Sequence, residues 1–162
     1  NSIYITLPNR EFTLEPYKVV SFDGIWYLFG KDINDTKIKT VFIHQIKNMK
    51  IKKEKFKLEK PIDEILSNVH SAWFEDGNTL EVTIKVHENV AYNFKLKKIL
   101  PSQEILEENK DGSILVKFTV TTEEDIDNTI KAWLPNIEII SPKSYRNKLV
   151  KELEDYLSLY KK

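Results

Sequence analysis

The sequence predicts an α+β protein built as two small domains, and three observations carry that prediction. The first sixty residues hold five short apolar runs divided by tight-turn residues. From about residue 80 to 140 the apolar periodicity reads strand, helix, strand, strand, helix, strand. An amphipathic stretch then follows Ser141-Pro142. With 162 residues and 41% hydrophobic content, the chain can bury two small cores but not three.

Ile3, Ile5 and Leu7 alternate with Tyr4 and Thr6, the period of a half-buried strand, and Pro8-Asn9 turns the chain. Phe12 and Leu14 continue the pattern to Pro16, which cannot donate to a ladder and so belongs at an edge or a bulge. Asp23-Gly24 is a hairpin signal, because glycine reaches positive φ without steric cost, and Trp26 to Gly30 form the return strand. After a turn at Asn34-Asp35 come strands over Ile38 to Ile43 and Met49 to Leu58, with Ile51, Phe56 and Leu58 available to the core. Five strands joined so tightly imply a small closed or nearly closed β-barrel over residues 1–60.

Pro61 suits the first turn of a helix, and Ile62, Ile65, Leu66, Val69 and Trp73 follow at helical spacing. Residues 61–76 are therefore expected to form a connecting helix and linker. In residues 77–162, Leu80, Val82, Ile84 and Val86 alternate as a strand, and Val90, Ala91, Phe94 and Lys98 suit a helix. Gln103 to Glu108 and Ser113 to Thr121 flank Lys110-Asp111-Gly112 as a hairpin. Thr122 can cap a helix with Glu123, Glu124 and Asp125 in its first turn and Ile126, Ile130, Trp133 and Leu134 as its buried stripe. Ile137 to Ile140 supply a last strand, completing the ferredoxin-like βαββαβ order. A C-terminal helix with Tyr145, Leu149, Leu153, Tyr156 and Tyr160 on one stripe closes the chain.

Net charge is zero, yet residues 1–60 carry twelve Lys or Arg against seven Asp or Glu, and the remainder carries thirteen against eighteen. Nine lysines fall between Lys37 and Lys60, against Glu54 and Glu59. Such a run either protects a sheet edge from aggregation or forms an electrostatic footprint for a phosphate-bearing ligand. Apolar runs are too short for a membrane span, so a soluble chain with no membrane partner is expected. The absence of cysteine fits a reducing, cytoplasmic location. His44, His70 and His87 stand far apart without ligand spacing, the four glycines form no phosphate loop, and no nucleophile motif occurs. Neither an enzyme nor a cofactor is expected.

A binding surface fits the residues better. Small barrels hold nucleic acids by setting a basic groove beside aromatic faces, and Tyr27 with Lys18, Lys37 and Lys39 offers those parts. Strand alternation points Trp26 and Leu28 one way and Tyr27 the other, so either set can face a ligand. Core packing is the expectation for Trp26; Tyr27 stands between core and ligand face.

The run Asp23-Gly24-Ile25-Trp26-Tyr27-Leu28, with Pro16 upstream and Lys39-Thr40-Val41-Phe42-Ile43-His44-Gln45-Ile46 downstream, resembles the WYL domain of bacterial transcription regulators. The stretch from about Leu80 to Tyr160 looks like the C-terminal extension that commonly follows it. The resemblance implies an SH3-like, Sm-like barrel for the first domain. It also implies a DNA-binding winged helix-turn-helix ahead of Asn1, a homodimer, and a ligand pocket lined by arginines. Lys39 matches the family's leading arginine and Ile46 its closing isoleucine. Phe42 and Gln45 stand at later arginine positions, His44 at an aspartate, and Phe12 at the arginine four before the proline. The expected function is an effector-sensing and dimerisation region, with a nucleotide or short single-stranded nucleic acid held by Tyr27, Lys18, Lys37, Lys39, His44 and Gln45. A protein-interaction or dimerisation module without a ligand is the alternative, and a nonspecific DNA clamp at the lysine-rich edge is a third reading.

Overall fold

The computed structural model describes residues 1–67, 69 and 71–161. The chain divides into two compact units, Asn1–Asn78 and Thr79–Lys162, each with its own antiparallel sheet.

Unit 1 contains β1 (Ile3–Thr6), β2 (Glu11–Phe22), β3 (Ile25–Asp32), β4 (Ile38–Phe42), a single 3-10 turn at Ile43–Gln45, β5 (Asn48–Ile51) and the four-residue helix α1 (Ile62–Ile65). Its sheet runs in the order β4-β3-β2-β1-β5. Pro16 lies inside the long β2, and the register with β3 shifts between Pro16 and Lys18, so a bulge absorbs the missing N–H. Asp23 and Gly24 both take positive φ at the β2–β3 hairpin. Ile3, Ile5, Leu7, Phe12, Leu14, Leu28 and Val41 fill the core, with Ile43 and Ile46 packed against it. Gly30 is required where it stands, since a Cβ there would meet the Glu15 carbonyl oxygen at 2.5 Å and Leu14 Cδ2 at 2.6 Å.

Several expectations for unit 1 are corrected. The sheet does not close: among the described residues β4 and β5 are its two edges. The last strand ends at Ile51 instead of Leu58, and Ile51 is 73% exposed, because the charged run after it lacks an alternating apolar face. The connecting helix stops at Ile65. Ile62, Ile65 and Leu66 are only half-buried, too little burial to extend so short a helix; its expected path also crosses Asn68 and His70, which lie outside the described residues. Trp26 is 56% exposed although Leu28, on the same face, is buried. It sits near the hairpin tip, beyond the reach of the core.

Unit 2 contains β6 (Leu80–Val86), α2 (Glu88–Leu96), β7 (Glu104–Glu108), β8 (Ile114–Val120), α3 (Glu124–Trp133), β9 (Ile137–Ser141) and α4 (Lys143–Ser158). The strand order is β7-β8-β6-β9, with every pairing antiparallel. Val82, Ile84 and Val86 on β6 and Ile114, Val116, Phe118 and Val120 on β8 present one buried face to Ala91 and Phe94 of α2 and Ile126 and Ile130 of α3. Phe94 and Trp133 rings meet at 4.9 Å. The start of α3 is a reciprocal cap: Thr122 Oγ1 accepts the Asp125 N–H at 3.3 Å, while Asp125 Oδ2 accepts the N–H groups of Thr121 at 3.0 Å and Thr122 at 3.2 Å. The Thr121 hydroxyl donates to the same oxygen. Tyr145 and Leu149 are the buried residues of α4; Leu153, Tyr156 and Tyr160, expected on the same stripe, are exposed. No helix among the described residues is long and apolar enough to cross a membrane.

Candidate ligand site in the first unit

Cross-strand register sets up two faces on the unit 1 sheet. Leu28 opposite Val41 belongs to the core face, whereas Tyr27 opposite Phe42 and Phe29 opposite Thr40 belong to the other. On that second face the rings form a row. Phe22 and Phe29 meet edge to face at 6.2 Å, Phe22 and Tyr27 at 5.9 Å, and Tyr27 stacks on Phe42 at 5.5 Å and 29°. His44, exposed on the 3-10 turn, continues the row at 5.3 Å from Phe42. Tyr27 is half-buried, so its ring is shared between packing and solvent.

A separate cleft of about 520 Å³ lies at the β4 side of the same unit. Arg10, Lys37 and Lys39 supply its cations, Thr40 a hydroxyl, and Trp73 and Phe74 its aromatic wall, with Glu75 and Asp76 also at the lining. Residues 72–78 follow the outer edge of β4, where Asp76 Oδ2 accepts the Ile38 N–H at 2.8 Å. Arg10 lies over the Phe12 ring at 5.3 Å, which steadies its guanidinium. Lys39 is paired with Asp35, and the Lys37 N–H donates to Asp35 Oδ1 at 2.9 Å. Those two bonds, that of Lys39 first, hold the Asp35 carboxyl below the usual carboxylate range. Thr40 Oγ1 is buried and finds no hydrogen-bond partner among the described residues. The lining therefore sets three cations, one of them already ion-paired, against two carboxylates, beside an indole that is 59% exposed and an unsatisfied hydroxyl.

The six residues singled out from sequence are therefore not gathered into one place. Lys37 and Lys39 line the cleft, whereas Tyr27 and His44 belong to the aromatic row. Lys18 is exposed and bonds Asp63 of α1 at 2.9 Å, and Gln45 is exposed on the 3-10 turn. Arg10, Thr40 and Trp73 were not anticipated. They arrive from three separated segments, and no local spacing connects them. The phenylalanines at arginine positions have packing roles: Phe12 is in the core, and Phe42 carries the stack on Tyr27. Among the described residues no cluster of His, Asp or Glu could hold a metal ion.

The chain thus joins a strand-rich unit bearing a cleft with cationic and aromatic lining to a separate unit with helices packed on a four-stranded sheet. The chain belongs to the WYL domain family: the WYL domain matches residues 4–51, and the WCX domain matches residues 78–157. Among solved structures, a CRISPR Cas-related protein superposes with a TM-score of 0.67 over 99% of this chain and 47% of its own, at 14% identity, a likeness of fold alone. Proteasome accessory factor B/C (PafBC) of Arthrobacter aurescens matches at 10% identity over 99% of this chain and 25% of its own, with a TM-score of 0.40, too low to carry an argument. The chain thus spans about half the length of the first and a quarter of the second. No curated protein matches the chain.

Proposed function

We propose that the chain is the effector-sensing and dimerisation region of a bacterial WYL-type transcription regulator, without catalytic activity, working in the cytoplasm. On this reading residues 1–60 are an opened SH3-like barrel, residues 61–76 the connection, and residues 77–162 a ferredoxin-like WCX domain with a C-terminal helix. The strand order β7-β8-β6-β9 supports the last assignment. The effector is a nucleotide or a short single-stranded nucleic acid. Its phosphates meet Arg10, Lys37 and Lys39 while a base lies on Trp73, and Tyr27, Lys18, His44 and Gln45 offer a neighbouring surface for further nucleotides. Binding favours one arrangement of a homodimer, and so sets the spacing of DNA-binding regions outside this chain.

The cleft carries this reading, through Arg10 and Lys37 beside an exposed indole and the orphaned Thr40 hydroxyl, with Lys39 drawn from its pair with Asp35 and the phosphates kept to the side away from Glu75 and Asp76. Titration of a fluorescent nucleoside phosphate and of a labelled short oligonucleotide, each at several salt concentrations, tests it. Trp73→Ala is expected to weaken binding by about 1–3 kcal/mol, the usual worth of one base stack. Lys39→Glu is expected to weaken it further and to flatten the salt dependence. No binding of either probe at low salt, or binding indifferent to both substitutions, removes the effector role. A ligand-free interaction module is the second reading. The specific observation for it is that Phe12 and Phe42 fill packing positions where the family places arginines.

A further inference from the structure

The two edges of the unit 1 sheet differ in what meets them. The β4 edge is engaged, since Asp76 Oδ2 accepts the Ile38 N–H there at 2.8 Å. At the other edge all four residues of β5 are exposed. The Lys52 N–H donates to the Ser2 carbonyl at 2.9 Å, just past the end of that strand. Strand alternation puts Lys50, opposite Tyr4, in the same inward set. It turns the N–H and C=O groups of Met49 and Ile51 outward, where no other strand meets them among the described residues.

Side chains at this edge leave an apolar layer unfinished. Met49 stands opposite Ile5 and Ile51 opposite Ile3, so both belong to the face that carries the core. They are nevertheless 53% and 73% exposed, because β5 is the outermost strand. Lys47, Lys50, Lys52, Lys53 and Lys55 surround them, with Glu54 the one carboxylate in the run from Lys47 to Lys57. None of those five lysines forms an ion pair among the described residues; the paired lysines of this unit are Lys18, Lys39 and Lys60.

Lysines on an edge strand repel neutral and basic strands, and the same charges select an acidic one. A polypeptide strand also supplies both the acceptors and the donors that the outward N–H and C=O groups require, whereas phosphates supply acceptors alone. We propose that β5 is a docking edge for an extended acidic segment of a partner protein. The segment adds a strand to the five-stranded sheet, lays alternate apolar side chains over Met49 and Ile51, and sets its carboxylates among the surrounding lysines. This edge is not the one that bears the cleft, and its use needs no effector.

The full chain is titrated with a short fluorescein-labelled peptide that alternates valine with glutamate, read by anisotropy. A valine–lysine peptide of equal length and a labelled single-stranded oligonucleotide are the comparisons. The acidic peptide is expected to bind and the basic one not, and hydrogen exchange is expected to slow at the Met49 and Ile51 amides. Ile51→Pro removes one outward N–H, a change that an edge strand tolerates, and is expected to weaken peptide binding by about tenfold. Lys50→Glu with Lys53→Glu alters exposed side chains only, so the fold is kept, and is expected to move the preference to the valine–lysine peptide. Absence of acidic-peptide binding at low salt, equal binding of both peptides, or unchanged exchange at Met49 and Ile51 would each overturn the proposal. So would loss of oligonucleotide binding in the double glutamate variant, which marks a nucleic-acid edge, or a mass that halves in Ile51→Pro, which marks a second copy already seated there.

Discussion

Thr40→Val should move stability and ligand affinity in opposite directions. Thr40 lies on β4 opposite Phe29, and its hydroxyl oxygen is buried with no partner among the described residues. Leaving such a hydroxyl unsatisfied costs about 1–3 kcal/mol. Valine keeps the branched shape, removes the orphan and suits a strand, so the free protein should gain about 1–2 kcal/mol. For a unit the size of Asn1–Asn78, each kilocalorie corresponds to a rise of about 4–8 °C in unfolding midpoint. If the hydroxyl donates to a ligand phosphate, losing that charge-assisted bond costs about 1.5–3 kcal/mol of binding, or about tenfold to a hundredfold in Kd. Differential scanning calorimetry and a fluorescent-nucleotide titration on one preparation measure both. A lowered midpoint would mean that the hydroxyl is already satisfied, and an unchanged Kd would mean that the ligand does not reach it. Either result refutes the reasoning.

Two further outcomes test unit 2. Asp125→Ala leaves two backbone N–H groups and the Thr121 hydroxyl without their acceptor at the start of α3, so urea unfolding should show a loss of about 2–4 kcal/mol; Asp125→Asn should recover part of it. Burial, reinforced by the Asp127 carboxylate that accepts its hydroxyl at 3.0 Å, holds the Tyr145 phenol well above the ordinary tyrosine range. Its stabilising contribution is complete below the unfolded pKa of about 10 and is lost as pH rises beyond it, so unfolding midpoints should fall on the alkaline side. Tyr145→Phe should lower stability at neutral pH by about 1 kcal/mol and flatten that alkaline fall; an identical fall in both proteins would show another group responsible.

Unit 2 was legible because β6 and β8 alternate cleanly and α3 opens on a capping sequence, so local signal and tertiary burial agree. Unit 1 was legible in its turns and less so in its assignments. Alternation says that Trp26 and Leu28 share a face, but only distance from the core decides that Leu28 is covered and Trp26 is not. The number of strands likewise does not say whether the outer two meet. The apolar spacing after Pro61 suits a helix, but a helix this short needs more buried surface than Ile62 and Ile65 find. In the candidate site, Lys37 and Lys39 were visible in a charge run. Arg10 and Trp73 were not, since the fold alone brings a hairpin end and a linker segment to the same strand.

The Asp76 carboxylate fastens the chain to the outer rim of β4 two residues before Asn78, the last residue of the first unit. Trp73, Phe74 and Asn78, which wall the cleft, therefore also belong to the stretch by which the polypeptide leaves it. A guest seated there would press on the tether itself. Its arrival would register at the point of covalent exit, with no relay of side chains through the sheet.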